Sequence, residues 1–114
     1  MGARRRVRRG TILIGQSPGD FTSKARPYVV VQADVTLETS TTVTVCPLTT
    51  TLIGIGRVRI AISPTPGNGL DEVSEIEVDR ITTMRRTRFD AIVGTAAPEI
   101  MNKVDASLRR WLAI

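Results

Sequence analysis

The strongest constraint on this chain is a change of period at Pro98. Between residues 11 and 95 the β-branched residues fall in short runs, with Gly or Pro between them; from Pro98 onward the apolar residues step as on a helix. Short β-branched runs with this punctuation read as strands, expected at residues 11–15, 27–32, 42–47, 57–62, 75–78, 82–86 and 90–94. Such spacing predicts a small, strongly bent antiparallel sheet or partial barrel. After Pro98, Met101, Val104, Leu108 and Trp111 share one stripe, widened by Ile100 and Leu112, while Lys103, Asp105, Arg109 and Arg110 fall elsewhere. This predicts an amphipathic C-terminal helix, with Trp111 read as core in preference to a recognition anchor. Pro98 and Glu99 suit its first turn, and Arg109 and Arg110 its last. The class is therefore α+β, mainly β.

In the fourth run Val58, Ile60 and Ile62 alternate with Arg57, Arg59 and Ala61, and after the turn at residues 66–69 Glu75, Glu77 and Asp79 alternate in the same way. Folding about Asn68 sets Arg59 opposite Glu77 and Arg57 opposite Asp79. Three alternating acids suggest either a metal site or a solvated, ion-paired strand face. The second reading is preferred, because hard cations need ligands converging from several segments.

At 114 residues, with 41% hydrophobic and 24% charged residues, the chain fits one globular domain. Its net charge of +5 sits at one end, where Arg4, Arg5, Arg6, Arg8 and Arg9 meet no acid. The remaining 11 basic residues balance all 11 acidic ones. Residues 1–9 thus read as a basic arm for phosphates or an acidic protein, or as a frayed end. The run Ile12-Leu13-Ile14 is too short for an export signal, and no apolar run is long enough to span a membrane. Histidine is absent, so mechanisms that need an imidazole base or a His ligand are excluded. Cys46 is the single cysteine, which forbids an internal disulfide or a Cys-cluster zinc site and fits a reducing cytoplasm.

The candidates for chemistry gather in two unpatterned loops, residues 16–26 and 48–56. Arg26 closes the first, and Thr49, Thr50 and Thr51 open the second. A guanidinium fork beside hydroxyl donors suits an oxyanion or phosphate, though the same residues also read as a surface ion-pair partner and a β-rich loop.

Several motifs together resolve that choice. They are Arg9-Gly10-Thr11-Ile12; Lys24-Ala25-Arg26-Pro27 running into Tyr28-Val29-Val30-Val31; Val45-Cys46-Pro47-Leu48-Thr49-Thr50; Asn68-Gly69-Leu70; and Val78-Asp79-Arg80-Ile81-Thr82-Thr83-Met84 leading to Thr87-Arg88-Phe89. With Val93-Gly94 and the helix from Glu99 to Val104, this ordered set resembles the MazF/PemK toxin family over nearly all of residues 9–112. The resemblance implies an SH3-like (CcdB/MazF-like) barrel and a toxin domain over residues 10–114. It also implies a homodimer with an RNA groove at its interface and a cytoplasmic bacterial endoribonuclease that uses no cofactor or metal. The expected partners are single-stranded RNA and a cognate antitoxin with an acidic disordered tail; no membrane is involved. By position, the catalytic arginine falls on Arg26 and the catalytic threonine on Thr49.

Three departures stand out. Thr11 replaces an acidic residue and is expected to be structural. Asp20 stands where a serine is usual, so a phosphate-side hydroxyl is lost or supplied by Ser17, Thr22 or Ser23. Arg80 replaces glutamine beside Asp79, which bears on base selection. Candidate RNA contacts are Ser17, Asp20, Phe21, Lys24, Thr50, Thr51, Asp79 and Arg80, with Phe21 read either as a stacking platform for a base or as an anchor for its own loop. Two rivals remain: a gyrase poison of the CcdB type, suggested by Trp111-Leu112-Ala113-Ile114, and a non-catalytic SH3-like binding module.

Overall fold

The computed structural model describes residues 6–16, 25–54 and 58–114. The chain forms strands β1 (Thr11–Gly15), β2 (Arg26–Val30), β3 (Thr42–Thr49), β4 (Arg59–Ile62), β5 (Ser74–Glu77), β6 (Thr82–Arg85) and β7 (Phe89–Thr95). A four-residue helix, α1 (Asp34–Leu37), follows β2, and α2 (Pro98–Leu112) ends the chain. The strands make one seven-stranded sheet in the order β4-β5-β3-β2-β1-β7, with β6 also pairing to β3. Every pairing is antiparallel.

The expected strands are present, and their ends differ for physical reasons. β2 stops at Val30, and the Gln32 side chain then takes over the ladder, its Oε1 accepting from the Thr44 N–H at 2.9 Å. The chain next turns into α1, where no helix was expected. β3 runs past Pro47 to Thr49 because it changes partner there: Val45 pairs with Thr82 of β6, whereas Leu48 pairs with Ile76 of β5. Pro47, which has no N–H to donate, sits at this crossing, one of the few places in a sheet that tolerates it. The three steps from Val45 to Leu48 face six from Ile76 to Thr82, and the surplus is a 3-10 turn at Val78–Arg80. That turn lifts Asp79 and Arg80 out of the ladder.

β4 and β7 are the free edges of the sheet order, and the turn between β4 and β5 closes the gap between them. Thr95 N–H donates to the Gly67 carbonyl at 2.9 Å. A Cβ added at Gly94 would lie 2.4 Å from the Asn68 carbonyl carbon, so only glycine allows the approach. Asn68 is buried; its Oδ1 accepts from Thr65 and Leu70 N–H groups, and its Nδ2 donates to the Ser63 carbonyl at 2.8 Å. One amide thereby holds the turn that seals the barrel.

Two apolar clusters fill the two faces of the sheet. Under α2 lie Ile12, Val29, Cys46, Leu48, Ile76 and Val78 with Met101 and Val104. On the other face lie Leu13, Tyr28, Val30, Leu37, Val43, Val45 and Met84, with Phe89 edge-on to Tyr28 at a centroid distance of 5.7 Å. Helix α2 begins at Pro98 as expected, but its stripe is covered only in part. Met101, Val104 and Ser107 are buried, while Trp111 is 49% exposed, so it is not core. Ser107 reaches the Val58 carbonyl just before β4, and Trp111 lies one helical turn beyond that contact. No helix among the described residues is long and apolar enough to cross a membrane.

The start of the chain also differs from a free arm. Val7 packs against the Tyr28 cluster. The Thr11 hydroxyl accepts from Arg8 N–H at 2.9 Å, the structural role expected of Thr11. Arg9 donates from Nε to the Val31 carbonyl at 2.9 Å, pairs through Nη2 with Asp105 of α2, and gives its backbone N–H to Asp34. Val7, Arg8 and Arg9 are therefore held by the body. Arg4 and Arg5 lie outside the described residues.

Candidate functional site

The site is built where β2 and β3 end together. Their register pairs Tyr28 with Pro47 and Val29 with Cys46, and Arg26 and Thr49 each lie two residues beyond the Tyr28–Pro47 pair on their own strands. Side chains two apart on a strand share a face, so Arg26 and Thr49 lie on the same side of the sheet. β5 brings Glu75 opposite Thr49, and β4 brings Arg59 opposite Glu77, as the alternating pattern predicted. All of these side chains occupy one face.

The face is charged and buried rather than solvated. Glu75 is 6% and Glu77 4% exposed, which corrects the expectation of a water-facing strand. Burial is tolerated because each carboxylate is fully engaged. Glu75 accepts the Ile53 and Gly54 N–H groups at 3.1 and 2.9 Å, fastening the loop that leaves Thr49. Glu77 gathers three guanidinium groups: Arg26 on Oε1 at 3.1 Å, and Arg59 and Arg80 on Oε2 at 3.2 and 3.4 Å. Asp79 takes a two-pronged grip from Arg59, both bonds at 3.1 Å. Those bonds hold the Asp79 carboxyl below its ordinary range and raise the Arg59 guanidinium above its own. The expected partner of Asp79, Arg57, lies outside the described residues. Among the described residues no set of three or more metal-ligating side chains gathers.

Arg26 also donates from Nη2 to the Leu48 carbonyl at 3.3 Å. Both of its contacts among the described residues use Nη2, and a guanidinium has three more N–H donors on Nη1 and Nε. The Thr49 hydroxyl oxygen accepts from Thr51 N–H at 3.1 Å, which turns the chain and leaves the O–H proton directed elsewhere. Thr50 and Thr51 are exposed just beyond. Cys46, on the opposite face, has its thiol pushed up to about 12, chiefly by burial, and is chemically silent.

Of the candidate residues, Arg26, Thr49, Thr50, Thr51, Asp79 and Arg80 converge at this end of the sheet. Asp79 already has both oxygens on Arg59, and Arg80 is the most solvent-exposed of the cluster. Ser17, Asp20, Phe21 and Lys24 lie outside the described residues, as do Thr22 and Ser23. Glu77 is the residue that sequence reasoning left aside as a strand-face acid. Its alternation with Arg59 was visible, but its contact with Arg26 depends on the tertiary approach of β2.

Comparison with proteins of known structure first defines the class. The fold is the CcdB/MazF fold: toxin MazF-mt6 from Mycobacterium tuberculosis aligns with a TM-score of 0.78 at 23% identity, over 91% of this chain and 97% of that one. An endoribonuclease in complex with its cognate antitoxin, from Mycobacterial species, aligns with a TM-score of 0.79 at 23% identity, covering 94% and 95%. MazF from Deinococcus radiodurans gives 0.76 at 16% identity, covering 98% and 100%. Sequence then narrows the class. Residues 8–112 match the family described as PemK-like, MazF-like toxin of type II toxin-antitoxin system, and the chain belongs to that family. A probable endoribonuclease MazF from Mycolicibacterium smegmatis is 36% identical over 108 residues, 95% of this chain and 98% of that protein.

Proposed function

We propose that this toxin is a metal-independent, ribosome-independent endoribonuclease that cuts single-stranded RNA at a short sequence. What supports the reading is the tethering of the Arg26 side chain by the Leu48 carbonyl and Glu77, next to the end of β3 that carries Thr49. RNA brings its own nucleophile. The protein has only to align the 2′-hydroxyl with the leaving 5′-oxygen, stabilise charge on the phosphate and let two protons move.

In this mechanism the 2′-oxygen attacks phosphorus while its proton passes to a solvent-derived base or to the substrate. The bond to the 5′-oxygen breaks and that oxygen takes up a proton, leaving a 2′,3′-cyclic phosphate and a 5′-hydroxyl. The Nη1 and Nε donors of Arg26 grip the non-bridging oxygens, and the Thr49 hydroxyl holds one of them. Arg26 is an electrostatic stabiliser rather than a proton donor, because a guanidinium does not release its proton at working pH. Arg80, Thr50 and Thr51 contact the neighbouring phosphates and bases, with Ser17, Asp20, Phe21 and Lys24 from the preceding loop and Asp79 at the rim. The toxin acts in the bacterial cytoplasm as a homodimer. An antitoxin whose acidic tail mimics RNA charge occupies the groove.

The test is incubation of purified protein with single-stranded RNA in EDTA. Cleavage is expected, with fragments bearing 2′,3′-cyclic phosphate and 5′-hydroxyl ends. Inhibition by EDTA, or products with 5′-phosphate ends, refutes the mechanism. Gyrase inhibition without RNA cleavage would establish the CcdB-type reading instead.

A further inference from the structure

We propose that Glu77 is the positioning residue for Arg26: its buried carboxylate orients the guanidinium so that its remaining donors face the phosphate held by Thr49. This rests on the nuclease reading of the site and adds a residue that the reading alone does not require.

Three observations support it. Among the described residues, Glu77 is the only acid paired with Arg26; Glu75 serves the loop backbone and Asp79 serves Arg59. The pair is asymmetric, with the Arg26 side chain 34% exposed and the Glu77 side chain 6%, so a fixed buried anchor holds a cation that reaches solvent. Glu77 also divides its oxygens: Oε1 takes Arg26, while Oε2 takes Arg59 and Arg80. Arg59 leans on Asp79 as well, so the carboxylate is locked from behind and cannot swing with its more exposed partner.

Stability alone does not account for a carboxylate at this position, because a well-packed apolar residue does at least as well as a buried ion pair. Orientation does account for it. An arginine has four rotatable bonds before its fork, and displacement of a reacting group by an ångström costs about 100-fold in rate. With Glu77 and the Leu48 carbonyl both on Nη2, the plane of the fork is set, and no partner among the described residues takes Nη1 or Nε from the substrate.

The experiment is a double-mutant cycle on kcat by single-turnover cleavage, using Arg26→Ala, Glu77→Gln and the double variant. Folding is checked by circular dichroism, and binding is measured with an uncleavable RNA carrying a 2′-deoxy residue at the cut site. Glu77→Gln is expected to lower kcat about 100-fold. It should not weaken binding of the uncleavable RNA, since removing a negative charge beside a phosphate does not reduce affinity. In the Arg26→Ala background the same substitution is expected to change the residual rate less than about threefold, because Glu77 acts through Arg26. A merely structural role would lower thermal stability equally in both backgrounds and leave kcat of the folded protein untouched.

If Glu77→Gln fails to fold, Glu77→Asp keeps the charge while withdrawing it by one methylene, and the same loss of kcat at unchanged binding is expected. Wild-type kcat in a folded Glu77 variant, or a full further loss in the Arg26→Ala background, overturns this assignment and leaves the nuclease reading standing. A wild-type protein that cleaves no single-stranded RNA overturns the nuclease reading itself.

Discussion

Arg9 and Arg26 are close to equally exposed, 28% and 34%, yet the structure uses them in opposite ways. Arg9 spends its guanidinium on the Val31 carbonyl and Asp105, and its backbone on Asp34, so it stitches β1 to the end of β2, to α1 and to α2. Arg26 spends one nitrogen on the Leu48 carbonyl and Glu77 at the mouth of two strands. Exposure therefore does not distinguish the arginine built into the fold from the one proposed to meet substrate. The spread of its partners does: those of Arg9 come from several elements and occupy Nε and Nη2, while those of Arg26 among the described residues share the single nitrogen Nη2.

The largest expected effect exploits that difference. Arg26→Ala and Thr49→Ala should each lower cleavage by at least about 10²- to 10³-fold, as removal of one oxyanion donor does. The fold should survive, because Glu77 keeps Arg59 and Arg80. Arg9→Ala should do the reverse. Losing a charged hydrogen bond should cost about 1–2 kcal/mol of stability in urea unfolding, with kcat of the folded protein unchanged. A stable Arg9→Ala protein with impaired cleavage would erase the distinction.

A smaller effect sharpens it from the acid side. Arg59 depresses the Asp79 carboxyl, so the folded state binds its proton less readily than the unfolded chain. The resulting stability is present above the ordinary value of 3.8 and is lost as pH falls through the depressed one. Asp79→Asn should be less stable than wild type by about 1 kcal/mol at neutral pH. The two melting curves should converge as the medium is acidified below the ordinary value. Parallel curves down to the most acid conditions would mean that the Arg59 grip contributes nothing to folding.

The smallest effect concerns the basic start of the chain. With Val7 and Arg9 built into the body, the arginines left to meet RNA are Arg4, Arg5, Arg6 and Arg8. Deleting residues 2–6 should flatten the dependence of log affinity on log salt by about 0.7 for each phosphate that the deleted arginines had neutralised. Catalysis at saturating RNA should not change, because such contacts bind ground state and transition state alike. An unchanged slope would assign that segment to the antitoxin or to no contact at all.

Much of the architecture was legible in the residues. The strand period, the Gly/Pro punctuation and the switch at Pro98 are local signals, and local signals survive folding. The Arg59–Glu77 register was readable because a single turn about Asn68 joins the two strands. The extension of β3 through Pro47 was not readable, since it depends on β3 passing from β6 to β5. Trp111 was misplaced for a related reason: a helical stripe says which residues share a face, not how much of that face is covered.

For the site, the ordered motifs led to the right family, and the resemblance they carry is what points to Arg26 and Thr49 as the proposed pair. The sequence by itself determined the elements and the residue types available to each loop, because both follow from periodicity and composition. Only the tertiary structure decided that Arg26 joins Arg59 and Glu77. Glu77 already faces Arg59 across the β4–β5 ladder, the 3-10 turn at Val78–Arg80 folds Arg80 back onto it, and the approach of β2 adds Arg26. The physical reason is distance along the chain. Arg26 and Glu77 are 51 residues apart, and no local pattern specifies a contact that only strand register and sheet curvature bring within 3.1 Å.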